Sequence, residues 1–170
     1  IAVALGTDLV GGPLFQGLGR FTGAAPTSQE WDWAIDIIRD AGEYAAGAGI
    51  RLALEPLNRF EMYMANTQAD GARFVEKVGL DNIGLLLDTN HTNIEENDVS
   101  DACAAVADHL FHIHISENHR GTPGSGHAIP PELFATLQSI GYQGWLTIEA
   151  FTLDVPELIA PLHLWRAVAE

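Results

Sequence analysis

Four short apolar runs, each closing on a carboxylate or an imidazole, limit what this chain can fold into. They are Arg51-Leu-Ala-Leu-Glu55, Ile83-Gly-Leu-Leu-Leu-Asp88, Phe111-His-Ile-His114 and Trp145-Leu-Thr-Ile-Glu149. Their last residues are 33, 26 and 35 positions apart, about one strand-plus-helix unit each. Runs this short and apolar, separated by helical stretches, predict buried parallel strands. In a (β/α) barrel the C-terminal strand ends converge on one rim, where side chains from several strands meet. The expected fold is α/β, a TIM barrel of the (β/α)₈ kind.

Strand alternation sharpens this expectation. Arg51, Ala53 and Glu55 share one face of their run, and Leu52 and Leu54 the other. His112 and His114 fall opposite Phe111, Ile113 and Ile115. Thr147 and Glu149 fall opposite Leu146 and Ile148. Glu55, Asp88, His114 and Glu149 therefore point inward at the last position before a loop. Three carboxylates and one imidazole held together repel one another unless a cation compensates them. The pattern predicts a divalent metal site with Glu55, Asp88, His114 and Glu149 as ligands. Its oxygen-rich donor set favours Mn²⁺, with Mg²⁺ or Co²⁺ as alternatives and Zn²⁺ ranked behind them. His112, one layer deeper, reads as a satisfied core histidine.

The remaining sequence supplies the alternating helices. Ile1 to Leu5 with Gly6 reads as a helix end with a glycine cap, which implies sequence missing before it. Thr7–Val10 reads as a strand and Gly11-Gly12-Pro13 as the following loop. Thr27-Ser-Gln-Glu30 is a capping box opening a helix to about Ala48, with Ile37, Ile38, Ala41 and Ala45 inward. Thr67-Gln-Ala-Asp70 opens a second helix with Phe74, Val75 and Val78 inward and Gly79 as its stop. Short helices are expected over 99–108, from Pro130-Pro131 to about Gly141, and over 162–168. His91 is expected in the loop after Asp88. All five strands alternate with helices, so right-handed crossovers are expected.

Composition removes several functions. At 170 residues with 47% hydrophobic content the chain is one domain, residues 1–170, large enough for a sizeable core. A net charge of −15 argues against nucleic acid and against an anionic membrane as partners. The single Cys103 excludes an internal disulfide and reads as an inert thiol in a helix stripe. A cytoplasmic, reducing location is the default. No apolar run has transmembrane length.

The segments Leu54-Glu-Pro-Leu-Asn-Arg-Phe-Glu61, Leu87-Asp-Thr-Asn-His-Thr-Asn-Ile-Glu-Glu96, His112-Ile-His-Ile-Ser-Glu-Asn-His-Arg120 and Ile148-Glu-Ala-Phe151 together carry a resemblance. The chain resembles the ketose 3-epimerases (D-tagatose and D-psicose, or allulose, 3-epimerases) of the xylose isomerase-like sugar isomerase/epimerase superfamily. The resemblance implies that Glu55, Asp88, His114 and Glu149 are the metal ligands and that Glu55 and Glu149 are also the catalytic acid/base pair. It implies that Glu61, His91 and Arg120 bind the sugar's oxygens, with Mn²⁺ or a similar ion as cofactor. It further implies a free ketose as substrate and a homo-oligomer, dimer or tetramer. The implied reaction inverts C3 through a cis-enediolate, one glutamate removing the proton and the other returning one on the opposite face.

The resemblance also exposes departures. About three of the eight βα units have no counterpart, so the chain reads as strands four to eight, the C-terminal five-eighths of an incomplete barrel. Ala150 stands where Pro is expected. An aldose–ketose isomerase of the hydroxypyruvate or rhamnose kind would use the same enediol chemistry. A catalytically silent metal- or sugar-binding fragment is the reading of another class. A nuclease on the same fold would need a basic surface, which the charge denies. Glu95 and Glu96 read as acids solvating the loop after Asp88, with a lid or interface role as the alternative the resemblance offers, and Glu117 is a candidate support for His114. His119 and His127 are placed on a long loop, His109 and His163 on the surface, and Trp31, Trp33 and Trp165 in core or interface.

Overall fold

The computed structural model describes residues 1–151. The helix expected over 162–168, with His163 and Trp165, lies outside the described residues. Helix α1 (Ala2–Leu5) ends, as expected, on Gly6 in the left-handed conformation at φ 72°. Strand β1 (Leu9–Gly12) begins two residues later than expected and absorbs the glycines read as loop. Gly11 pairs with Ala53, and a Cβ on it would lie 2.9 Å from Leu86 Cδ1. A side chain at this inner position would have to displace the tip of Leu86, so a glycine suits the strand there.

The capping box at Thr27 is made in full. The Thr27 hydroxyl accepts the Glu30 N–H, and the Glu30 carboxylate accepts the Thr27 N–H. Helix α2 (Ser28–Ala46) buries Trp31, Ala34, Ile35, Ile38 and Ala45. Of the four residues expected inward, Ile38 and Ala45 are buried. Ile37 and Ala41 face solvent, because the face is centred on Ala34 and Ile38 instead. Strand β2 (Arg51–Leu54), helix α3 (Gln68–Val78) and strand β3 (Ile83–Asp88) follow as expected, with Phe74, Val75 and Val78 buried and Gly79 closing α3. Helix α4 (Thr89–Glu95) starts directly at the end of β3, in a stretch read as loop. Helix α5 (Val99–Ala105), a 3₁₀ turn at Ala107–His109, strand β4 (Leu110–Ile115), helix α6 (Pro131–Ser139) and strand β5 (Leu146–Ile148) complete the described elements.

The five strands form one all-parallel sheet in the order β1-β2-β3-β4-β5, an arc of a (β/α) barrel. Alternation divides its faces. Outward, Leu52, Leu54, Ile83 and Leu85 pack on α2 and α3 through Ile38, Phe74 and Val78. Leu87, Ile113 and Ile115 pack with Val99, Cys103, Leu133 and Leu137 of α5 and α6. Burial pushes the Cys103 thiol up to about 11, in keeping with an inert core residue. Inward lies a cavity of about 700 Å³ that includes Arg51, Leu86, His112, His114, Tyr142 and Thr147 in its lining. On β5 the outward Leu146 and Ile148 are 41% and 42% exposed, with no helix over them among the described residues.

One bulge breaks the alternation. β3 and β4 pair Leu85 with Leu110 and Leu86 with His112, so Phe111 has no partner. Phe111 was expected on the helix side with Ile113 and Ile115. It instead borders the inner cavity, with the Arg51 guanidinium 5.1 Å over its ring. Gly84 makes room for the bulge: a Cβ there would lie 2.6 Å from the His109 carbonyl oxygen. No described helix is long and apolar enough to cross a membrane.

Candidate metal centre

Each expected ligand stands at or just beyond the C-terminal end of a different strand. Glu55 follows β2 and extends its ladder, its N–H donating to the Gly12 carbonyl at 3.0 Å. Glu149 follows β5 in the same way, its N–H donating to Ile115 at 3.0 Å. Asp88 ends β3 and caps α4: its Oδ1 accepts the N–H groups of Asn90 at 2.7 Å and His91 at 3.0 Å. That capping turns Oδ2 toward the site. His114 pairs in register with Asp88 on one side and Thr147 on the other.

Ligand-capable atoms of the four residues all lie within 4.8 Å of one another. His114 Nδ1 is 3.7 Å from Glu55 Oε1, 3.8 Å from Asp88 Oδ2 and 3.6 Å from Glu149 Oε1. These distances are too long for hydrogen bonds, and the buried Nδ1 has no hydrogen-bond partner. They are short enough for one cation to reach several donors at about 2.0–2.3 Å. An orphaned nitrogen ringed by three carboxylate oxygens fits a divalent ion. The electrostatics agree. Burial raises the Asp88 carboxyl above its ordinary range, and Glu149 beside it adds to the rise, against the pull of His91 and Arg120. Burial acts to lower His114, but Glu55, Glu149 and Asp88 together carry it above the ordinary histidine value. Asp88 holds its proton chiefly because it is buried, and His114 because carboxylates surround it.

The residues expected to meet the sugar adjoin this cluster. Arg120 adopts a left-handed backbone, φ 57°. Its Nη1 donates to Asp88 Oδ2 at 2.9 Å, Glu149 Oε2 at 2.6 Å and Ser116 Oγ at 2.8 Å. Its Nη2 lies 2.7 Å from His91 Nε2. His91 sits in the first turn of α4, not in a loop, and is 3% exposed. Burial is the main force lowering its pKa, with Arg120 adding to it. Glu61 stands further out and joins the cluster through Asn58, whose Nδ2 donates to Glu61 Oε1 at 2.8 Å.

Other expectations resolve differently. His112 faces inward as expected, its ring edge-on to His114 at 5.2 Å, yet its Nδ1 has no hydrogen-bond partner. Glu117 does not support His114. Its two carboxylate oxygens accept the Gly124 and Ala128 N–H groups and so anchor the loop before α6. Glu95 accepts from the Arg59 backbone and guanidinium, and Glu96 from the Gln68 N–H, tying α4 to the loop after β2 and to α3. His119 accepts the Gly121 N–H within its own loop, and His127 is exposed. Trp31 is core and Trp33 is exposed. Two contributors went unread, Ser116 and Asn58. Ser116 was visible in the alternation, since 112, 114 and 116 share a face. Asn58 had no signal beyond its place in the Asn-Arg-Phe-Glu segment.

The xylose isomerase-like TIM barrel family model matches residues 1–168. The chain belongs to that family. Within it, the chain is 39% identical over 158 residues to the probable ketose 3-epimerase of Synechocystis sp., covering 93% of this chain and 55% of that protein. It is 35% identical over 168 residues to the L-ribulose 3-epimerase of Methylomonas sp., covering 98% and 58%. The solved D-allulose 3-epimerase from Methylomonas sp. in complex with D-allulose superposes with a TM-score of 0.86 at 35% identity, covering 97% of this chain and 58% of that one. The chain thus spans a little over half the length of the curated relatives it matches.

Proposed function

We propose that this chain carries the centre of a metal-dependent ketose 3-epimerase acting on a free ketose, and that its strands are four to eight of a closed barrel. The observation that carries the reading is the unpartnered His114 Nδ1 among Glu55, Asp88 and Glu149, beside the Arg120–His91 pair. Relatives named for C3 epimerisation of ketoses support it. Asp88, His114, Glu55 and Glu149 hold the divalent ion, with Mn²⁺ preferred and Mg²⁺ or Co²⁺ acceptable. Such an ion supplies Lewis-acid polarisation of the ketose carbonyl and stabilises negative charge on its oxygen.

The chain's own residues do the rest. Glu55 and Glu149 come from β2 and β5, on either side of the β3–β4 pair that bears Asp88 and His114. That disposition suits a proton removed on one face of C3 and returned on the other. One glutamate takes the C3 proton, and the C–H electron pair moves into the C2–C3 bond while the carbonyl pair moves to O2, giving a cis-enediolate. The other glutamate then delivers a proton to the opposite face of C3, so the product differs only in configuration. Glu61, His91 and Arg120 hold the sugar's oxygens, and the guanidinium, always charged, suits the developing oxyanion. Exposed Leu18, Phe21, Trp33 and Phe60 offer apolar surface for a homo-oligomer.

The test is deuterium incorporation. The purified chain is incubated with D-fructose, D-tagatose and D-psicose in D₂O, with Mn²⁺ or with EDTA. Metal-dependent uptake of one deuteron together with the C3 epimer is the expected result. An aldose product would replace the reading with aldose–ketose isomerisation. Folded, metal-loaded protein that exchanges nothing would leave a metal- or sugar-binding fragment.

A further inference from the structure

Arg120 Nη1 has more acceptors than hydrogens. A guanidinium NH₂ group carries two hydrogens, and this one meets Asp88 Oδ2 at 2.9 Å, Glu149 Oε2 at 2.6 Å and Ser116 Oγ at 2.8 Å. Nη2 lies against His91 Nε2 and stays outside the count. The three acceptors differ in what else claims them. Asp88 Oδ1 is spent on capping α4, so Oδ2, 3.8 Å from His114 Nδ1, is the oxygen left for an ion. Glu149 divides its oxygens: Oε1 lies 3.6 Å from His114 Nδ1, and Oε2 takes Arg120. Ser116 is fully buried, and its Oγ is neutral.

Among these acceptors only Asp88 Oδ2 is claimed twice. A carboxylate oxygen has room for two partners, but a guanidinium and a divalent ion on one atom are two cations set against each other. We propose that Arg120 and the ion are alternative partners of Asp88 Oδ2. Arg120 is the counter-cation of the metal-free centre, and Ser116 is the positioning residue that keeps its guanidinium at the site once the ion takes that oxygen. Two acceptors, Glu149 Oε2 and Ser116 Oγ, then remain for two hydrogens, and the count comes out even. This rests on the four residues being a metal centre, not on which sugar is turned over.

The test is isothermal titration of the whole, metal-stripped chain with Mn²⁺ at about pH 8, with two variants expected to move in opposite directions. Arg120→Asn removes the guanidinium, and asparagine accepts the left-handed backbone found there. Mn²⁺ should bind this variant about tenfold more tightly, on the scale of one charge-assisted hydrogen bond. Ser116→Ala keeps the backbone groups that Thr89 binds. It leaves Nη1 two acceptors without the ion and one with it, so Mn²⁺ should bind about threefold to tenfold more weakly. Damage to the fold alone would weaken both. An Arg120→Asn variant that binds Mn²⁺ no more tightly than the parent overturns the proposal. So does a Ser116→Ala variant that binds as tightly as the parent, whether or not the Arg120 variant folds. A parent that takes up no Mn²⁺ removes the metal centre and this proposal together. A parent and variants that show both shifts, with no proton exchange on any ketose, would sink the epimerase reading and leave the roles of Arg120 and Ser116 intact.

Discussion

Arg120 donates to the same Asp88 and Glu149 that the cation would use, so one guanidinium and three carboxylates share a small space before any ion arrives. Proton competition follows. His114 is raised above the ordinary histidine value by its carboxylate neighbours, against burial. A raised value in the folded site means the proton is held more tightly, so it must be displaced when the ion binds. Mn²⁺ affinity should be full above the raised His114 value and fall as pH drops through it. It should fall again where Asp88, itself raised by burial, takes up its proton. Isothermal titration across about pH 5 to 8 measures the first step, and an affinity flat across that range would contradict it. The two glutamates make a sharper prediction. Glu55→Gln and Glu149→Gln should each slow epimerisation by about 10²–10⁴. Each should still wash deuterium into one C3 epimer without inverting it, and the two variants should do so in opposite epimers. Mass spectrometry of the recovered sugars reads this directly.

Among the elements, β3, α4 and β4 act as one piece. The Thr89 hydroxyl donates to the Ser116 carbonyl at 2.6 Å and accepts the Ser116 N–H at 2.8 Å, and Asn90 Nδ2 donates to the Glu117 carbonyl at 2.7 Å. Thr89→Val keeps the shape and strands two buried backbone groups, costing about 2–4 kcal/mol. A lower denaturant midpoint with an unchanged slope is the expected readout. This is also the region where the sequence was hardest to read. The alternating runs announced Glu55, Asp88, His114 and Glu149, because each donor follows its strand's inward face. Helix α4 was invisible because Thr89–Glu95 carries no apolar period, and its cap, Asp88, doubles as the last strand residue. The Phe111 bulge breaks alternation through a register slip that only the partner strand reveals. β1 was misplaced because Gly11 looks like a loop residue until Leu86 is seen crowding it. The inward face of α2 was legible only in part, since Ile35, Ile37 and Ile38 compete for it and packing on β2 decides.

At the scale of the molecule, and among the described residues, the outer core is packed around β2, β3 and β4, while the inner face opens on a cavity and the outward residues of β5 have no helix over them. Cys103 lies at 0% exposure inside the α5–α6 core, with its thiol pushed up to about 11. It should resist a disulfide reagent in the native protein and react only as fast as the molecule opens. Mn²⁺ should slow that labelling by binding the folded form alone. Labelling at the rate of a free thiol would mean the core is not formed.

The four donors come from four successive strands, and no two belong to one local segment. A peptide cut from this sequence therefore offers an incoming ion at most isolated acids or a single imidazole. The ion becomes a census of tertiary assembly: stoichiometric Mn²⁺ uptake counts the molecules in which four strands are in register, and loses count when any one of them slips.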